Sequence, residues 1–414
     1  TIYTDRPTDR PMNEHHSSME PLLPQPGELD ELALALTREA AALGGQLHPL
    51  TRESVADLLR SINTYHSNLI EGHETRPRDI ERALVGNYAS DPMRRALQLE
   101  AKAHIEVQRL IESRLATEPD LRITSVDFFC WVHREFYLRL PGEYRVVRSR
   151  TSAREVAVVP GSIRTEDVDV GRHVPPSAAT LPGFLARFED AYDPARLKGL
   201  ELITAVPASH HRLLWIHPFL DGNGRVARLF TDAFLRRAGL GGHGLWTASR
   251  GLARNRQQYL DALVAADAER WNDYDGRGAR SWIALTAFCR FFLEVCLDQV
   301  RYMQGLLVSD GLRQRIEAYV ERRALGGLGA KLPREARLLL VEALVKGELA
   351  RGDAARVLGL SERSARRVLS QLLKEGLLRS ASPKGPVRLG LPTKVVSYYF
   401  PQLYPEAATE ESAL

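Results

Sequence analysis

Pro218, Gly222 and Gly224 fall between two helix-forming runs, Leu213-Leu214-Trp215-Ile216 and Arg225 to Arg237. Any fold of this chain must therefore stop one helix, turn tightly and start another within a few residues. Glycine adopts positive φ and leaves space beside the backbone. The successive amides that open the second helix would then converge on one spot, a ready cradle for phosphate.

The side chains around that turn, His217-Pro218-Phe219-Leu220-Asp221-Gly222-Asn223-Gly224-Arg225-Val226-Ala227-Arg228, fit such a cradle. Arg225 and Arg228 lie three apart and project from one side of the first helical turn. Two cations at a helix N-terminus oppose the dipole unless a bound polyphosphate compensates them. Asp221 offers a hard oxygen to a divalent cation, and His217 is the nearby group able to take a proton near neutral pH. Taken singly, a His-Pro-Phe is packing and a Gly-x-Gly is a turn; together, a purely structural reading requires several coincidences. His210 and His211 read as ordinary helix residues, because with His217 their spacing matches no standard zinc ligand set.

The chain has 414 residues, 44% hydrophobic and 26% charged, enough for two to three domains with real cores. This excludes collagen-like and wholly disordered classes. No run approaches a membrane span, no signal-peptide pattern opens the chain, and three cysteines (Cys130, Cys289, Cys296) fit a reducing cytoplasm. Residues 1–28 are expected to be poorly ordered, with Met12 or Met19 as the natural start after a leader. Helical periodicity marks 29–120, and 121–280 holds the glycine turn. Within it, a β-hairpin is expected at about 143–163: Val146-Val147 and Val156–Val159 flank the polar stretch Arg148–Glu155, and Pro160-Gly161 closes it. One or two connecting helices follow over 281–330, then a module at 331–395 and a tail at 396–414.

The twelve-residue turn resembles the signature of Fic-domain proteins, matched at every defined position. That resemblance implies a mostly α fold: a Fic helical core with a β-hairpin flap. It implies a protein adenylyltransferase that moves AMP from ATP to a Ser, Thr or Tyr hydroxyl of a target protein, itself included. His217 would be the general base, Asp221 would hold Mg2+, and Gly222, Asn223 and Gly224 would form the anion hole. Arg225 and Arg228 would grip the β- and γ-phosphates. Intact Gly224 and Arg228 favour AMP transfer over the phosphate transfer of the toxin branch. Tyr259 falls where the family tends to line the adenine pocket, though a half-buried helical tyrosine is as readily core.

Upstream, Ser67-Asn68-Leu69-Ile70-Glu71-Gly72 resembles the inhibitory helix of the same family. Ser67 and Glu71 share a helix face and Gly72 suits the helix end. A carboxylate there would pair with Arg228, replace the γ-phosphate and leave ATP misaligned. In some relatives the same glutamate activates water to remove AMP again.

Residues 331–391 hold 13 Lys+Arg against 6 Asp+Glu, which leaves the rest of the chain slightly acidic. Their pattern of helix, helix, turn, helix and basic hairpin resembles a C-terminal winged helix-turn-helix domain. Arg363, Arg366 and Arg367 on the third helix and Lys384 and Arg388 in the wing are then candidate contacts to double-stranded DNA. Pairing of subunits into a homodimer, or docking of another protein, is the competing use. The alternative function is a DNA-binding transcriptional regulator whose Fic core senses nucleotide.

Overall fold

The structure, a computed structural model, describes residues 2–3, 15–148, 155–171 and 173–404. Short pairings apart, it is helical. The N-terminal part comprises α1 (Asp30–Gly44), α2 (Pro49–Ile70), α3 (Pro77–Leu84) and α4 (Pro92–Thr117). The middle holds α5 (Val126–Leu138), α6 (Leu181–Tyr192), α7 (Leu200–Ile216), α8 (Asn223–Arg237), α9 (Ala248–Arg254) and α10 (Arg256–Ala265). Then come α11 (Trp282–Leu307), α12 (Ser309–Ala324), α13 (Ala336–Lys346), α14 (Ala354–Leu358), α15 (Glu362–Lys374) and α16 (Thr393–Tyr399). Three antiparallel pairs complete it: β1 (Ile2–Tyr3) with β4 (Val168–Asp169), β2 (Val146–Arg148) with β3 (Glu155–Ala157), and β5 (Leu378–Arg379) with β6 (Arg388–Leu389).

Local chemistry sets many of the helix starts. Proline opens α2 and α4, where its missing N–H is no loss, and Asp91 accepts from the Arg94 amide at 2.8 Å. Ser125, Ser281 and Ser361 cap α5, α11 and α15 in the same way. Helices α7 and α8 pack on each other, with α5 and α4 against α8 and with α6, α11 and α1 against α7. Phe129, Phe188, Phe230 and Phe234 fill the space between these helices as an edge-packed aromatic cluster.

The hairpin expected near 143–163 forms as β2–β3, with Val146 opposite Ala157 and Arg148 opposite Glu155; its tip, 149–154, lies outside the described residues. Three expectations need correction. Residues 16–24 are packed, not loose: Met19, Leu22 and Pro24 are buried, and the Pro21 carbonyl accepts from buried Arg212 at 2.8 Å. Residues 1 and 4–14 lie outside the described set. The supposed tail begins with α16, and Phe400, Leu403 and Tyr404 are buried while Arg250 donates to the Gln402 carbonyl at 2.7 Å. Only 405–414 lie outside the description. Buried Val395, Val396, Tyr399 and Phe400 carry that packing. Finally, the second helix expected in the module is short: α14 follows a 3-10 turn at Arg351–Asp353.

The basic module does not stand apart from the N-terminal helices. Thr51 Oγ1 at the start of α2 donates to the buried Leu344 carbonyl at 2.8 Å, and Arg388 on β6 bonds Glu53 at 2.9 Å. A Cβ on Gly347 would collide with the His48 ring. The beginning of α2 is therefore seated on the C-terminal module, and its other end reaches the glycine turn.

Candidate active site

Helix α7 stops because His217 takes a left-handed conformation, φ 52° and ψ 60°. For a residue with a Cβ this is costly by about 1–2 kcal/mol and persists only where the surroundings enforce it. The last carbonyls of α7 lack intrahelical donors and find others. Leu213 O accepts from His217 N at 3.1 Å, Leu214 O faces His217 Nδ1 at 3.3 Å, and Trp215 O faces His173 Nε2 at 2.8 Å. A carbonyl only accepts, so the His217 proton sits on Nδ1 and Nε2 is the basic nitrogen. Burial, with Arg164 and His173 adding to it, pushes the imidazole down to about 3. His217 is a neutral ring throughout the physiological range.

The turn itself is over-determined. Gly222 has φ 79°, and a Cβ there would come within 2.8 Å of the Tyr137 ring. Asn223 clips the turn shut: its Oδ1 accepts from Phe219 N at 2.9 Å and its Nδ2 donates to Phe219 O at 2.7 Å. The Asn223 side chain is thereby committed to the loop, so any contribution to an anion hole is left to its backbone. Phe219 stacks on His133, with ring centroids 4.1 Å apart and planes within 6°. His133 Nε2 faces the Asp221 carbonyl at 3.3 Å while its Nδ1 accepts from Gly161 N at 2.8 Å. The base of the β2–β3 hairpin is thus tied to the turn.

Asp221 Oδ2 accepts from the Tyr137 hydroxyl at 2.7 Å and lies 3.8 Å from Arg225. Burial would raise this carboxyl, yet Arg225, the Tyr137 hydrogen bond and the Gly222 amide hold it below its ordinary value. It stays an anion with about a third of its side chain exposed. One hard, partly open carboxylate beside a phosphate cradle fits Mg2+, which binds through one or two carboxylates plus substrate phosphates and water. Among the described residues there is no cluster of three or more His, Cys, Asp or Glu side chains placed to hold a metal ion.

Arg225 and Arg228 both turn inward from α8, as their spacing predicts, but to different partners. Arg225 pairs with Glu100 of α4, and its guanidinium lies 5.0 Å from the Phe136 ring centroid. Glu100 also bonds His73 at 3.0 Å. Arg228 Nε donates to Ser67 Oγ at 2.8 Å, and its Nη2 reaches both the Ser67 carbonyl, at 3.3 Å, and the Glu71 carboxylate. Glu71 caps the end of α2, and Gly72 follows it with φ 86°. A Cβ on Gly224 would run into Glu71 Oε1, so this carboxylate lies directly on the opening of α8. Burial alone would raise the Glu71 carboxyl, but Arg228 and Arg225 outweigh it and keep it ionised.

The structure therefore brings together His217, Asp221, Gly222, Asn223, Gly224, Arg225, Arg228, Ser67 and Glu71. It does not bring Tyr259 to an open pocket: that ring is buried, and its hydroxyl sits 2.7 Å from His210 Nε2. The core reading of Tyr259 replaces the adenine-pocket one. His210 and His211 are also core residues, bonded to Thr231 at 2.7 Å and to the Leu263 carbonyl at 3.0 Å. In the C-terminal module Arg363, Arg366, Arg367 and Lys384 are exposed. Arg388 corrects the expectation for the wing, since it is engaged by Glu53 and Glu348 within the molecule.

Sequence reasoning missed Arg164, His133, Tyr137, Glu100 and His73. His133 and Tyr137 carried a usable signal, two polar rings four apart on one face of an aromatic-rich helix. Arg164 and Glu100 carried none, because only the tertiary fold brings them to the turn.

Residues 123–235 match the Fic/DOC family model. A protein adenylyltransferase Fic of Drosophila grimshawi is 39% identical over 172 residues, 42% of this chain and 31% of that protein. Its namesake from Nematostella vectensis is 32% identical over 179 residues, 42% of this chain and 37% of that one. The aligned part thus spans little more than a third of these curated relatives at most. Among solved structures, Fic-1 (residues 134–508) from C. elegans superposes with a TM-score of 0.50 at 16% identity, over 66% of this chain and 71% of that one. The matched residues include the glycine turn, α7, nearly all of α8 and the β2–β3 hairpin.

Proposed function

We propose that the protein is an adenylyltransferase that moves AMP from ATP onto a Ser, Thr or Tyr hydroxyl of a protein, and that the α2 end holds it in an inhibited state. The observation that carries this reading is the pairing of Glu71 with Arg228 on top of the α8 amides, beside a neutral His217. The names of the relatives and the Fic/DOC match support it.

In this reading His217 Nε2 takes the proton of the acceptor hydroxyl. The hydroxyl oxygen forms a bond to the α-phosphorus as the bond to the α–β bridging oxygen breaks, and pyrophosphate leaves. The backbone amides of Gly222, Asn223 and Gly224 orient the phosphates by hydrogen bonds aligned with the helix dipole. Arg228, once Glu71 withdraws, meets the γ-phosphate; Arg225, fixed by Glu100, supplies positive potential from beneath. Asp221 would hold Mg2+, which neutralises phosphate charge when bound. The β2–β3 hairpin, tethered to the turn through His133, is placed to align a target segment. While Glu71 occupies the cradle the triphosphate cannot seat its γ end, and misplacement of the reacting atoms by ~1 Å costs ~100-fold.

Mass spectrometry of the Glu71→Gly protein after incubation with ATP and Mg2+ tests the proposal. An added AMP on Ser, Thr or Tyr is expected, absent in the Glu71→Gly, His217→Ala double variant. An unmodified Glu71→Gly protein that also fails to label proteins of a lysate would overturn it.

For residues 336–389 we propose a winged-helix arrangement, α13 to α15 with the β5–β6 wing. Exposed Arg363, Arg366, Arg367 and Lys384 support a contact with duplex phosphates, while the engagement of Arg388 within the molecule narrows that face. Each phosphate contact would contribute about −0.9 to the slope of log affinity against log salt. Absence of duplex binding at low salt would leave protein docking as the role of this module.

A further inference from the structure

Whatever holds His217 in its left-handed conformation also aims its imidazole, so the groups on its backbone carry functional weight. Arg164 is that group. It lies in the segment that follows the β2–β3 hairpin, and its side chain is wholly buried. Its Nε donates to the His217 carbonyl at 2.8 Å, and its own amide donates to the Pro218 carbonyl at 3.0 Å. The remaining guanidinium nitrogens donate to the Glu166 carbonyl at 3.0 Å and the Pro176 carbonyl at 2.5 Å, and Asp167 lies 3.8 Å away. One rigid fork therefore spans three carbonyls from two separate stretches of chain. A buried guanidinium is expensive unless its donors are met, so this arrangement fixes the geometry on both sides of it.

We propose that Arg164 is a positioning residue for the reaction: it locks the backbone of His217 so that Nδ1–H stays on the Leu214 carbonyl and Nε2 points at the acceptor hydroxyl. The inference rests on the reading of His217 as the general base. The hydrogen bonds described for Arg164 go to the carbonyls of His217, Glu166 and Pro176, none of them a phosphate-binding group. Its loss should therefore leave nucleotide binding intact and damage the chemical step. Because it sits on the chain leaving the hairpin, it also couples the hairpin to the base: a target that shifts this segment shifts His217.

The test uses the full chain in the Glu71→Gly background, with Arg164→Lys and Arg164→Met. Lysine keeps the charge but cannot bridge three carbonyls, so both variants should lose kcat by about 10–100-fold, with KM for ATP changed less than about twofold. Added guanidinium at millimolar concentration should restore part of the Arg164→Met rate, an effect that general destabilisation would not produce. Histidine-selective 15N spectra, with His217→Gln to assign the signal, should show a His217 Nδ1–H resonance that is lost or exchanging in both variants. A kcat within twofold of the parent, a KM that rises as kcat falls, or an unchanged Nδ1–H signal would overturn the inference. If Arg164→Met does not fold, Arg164→Lys carries the same three readouts. The nitrogen spectra report on Arg164 whether or not AMP is transferred, whereas an inactive Glu71→Gly parent would count against the proposed function alone.

Discussion

Helix α8 carries two arginines three residues apart, each buried and each paired with a glutamate from another helix, yet the two pairs are built to behave differently. Arg225 meets Glu100 well inside α4, a helix of 26 residues, and both side chains are only about a tenth exposed. Glu100 has a second partner in His73, and it cannot leave Arg225 without unpacking the interior of α4. Arg228 is more buried still, at 4% exposed, but its carboxylate partner is not: Glu71 caps the end of α2 with 31% of its side chain exposed. A helix end frays at low cost, whereas a helix centre does not. The same chemistry therefore gives one permanent strut and one removable plug, and the difference is where the glutamate sits on its helix.

The comparison can be broken experimentally. The largest effect should come from the base that both arginines serve: His217→Ala in the Glu71→Gly background should lower AMP transfer by about 10²–10⁴-fold, with ATP binding retained in a calorimetric titration. Next, removing the strut, Glu100→Ala, should cost about 3–5 kcal/mol in chemical denaturation because it leaves a buried guanidinium unpaired. Removing the plug, Glu71→Gly, should cost less than removing the strut, about 1–3 kcal/mol, because Arg228 keeps the Ser67 hydroxyl and carbonyl, and should raise transfer by about 100-fold. It should also enlarge the thermal shift produced by ATP. Equal stability losses for the two glutamates would erase the distinction.

Acid provides a broader test of the same interior. Burial lowers His66, His104, His210 and His217 to about 3 and His133 to about 4, against an ordinary 6.5. Between those values the unfolded chain binds protons that the folded chain does not, so stability rises with pH in that window. The protein should lose stability progressively as pH falls from about 6.5 towards 3, followed by circular dichroism during denaturant titration. A stability that is flat between pH 7 and 4 would contradict the buried neutral rings. The smallest effect belongs to the partly exposed contact between wing and α2: Arg388→Ala should change stability by less than about 1 kcal/mol.

Much of this was legible from residues alone. The glycine turn, the helices on either side, the hairpin and the Ser67–Glu71 helix end all follow from spacing and turn chemistry, which are local. The failures were of another kind. Residues 16–24 and α16 have little propensity of their own and are ordered by surfaces that distant helices provide. Tyr259 was singled out by family resemblance alone, and it is the buried residue of its helix, α10. Asn223 and Arg388 carried the right functional groups for their expected partners, yet the fold uses them to bond Phe219 and Glu53.

The sequence by itself determined the chemistry available at the turn, because helix stop, glycine φ and side-chain spacing act within a dozen residues. Tertiary structure alone decided which partner each charge meets. Glu100 beneath Arg225, Glu71 upon Arg228 and Arg164 behind His217 are contacts across 125, 157 and 53 residues of chain. Such pairings depend on how whole helices pack, and no local rule encodes that.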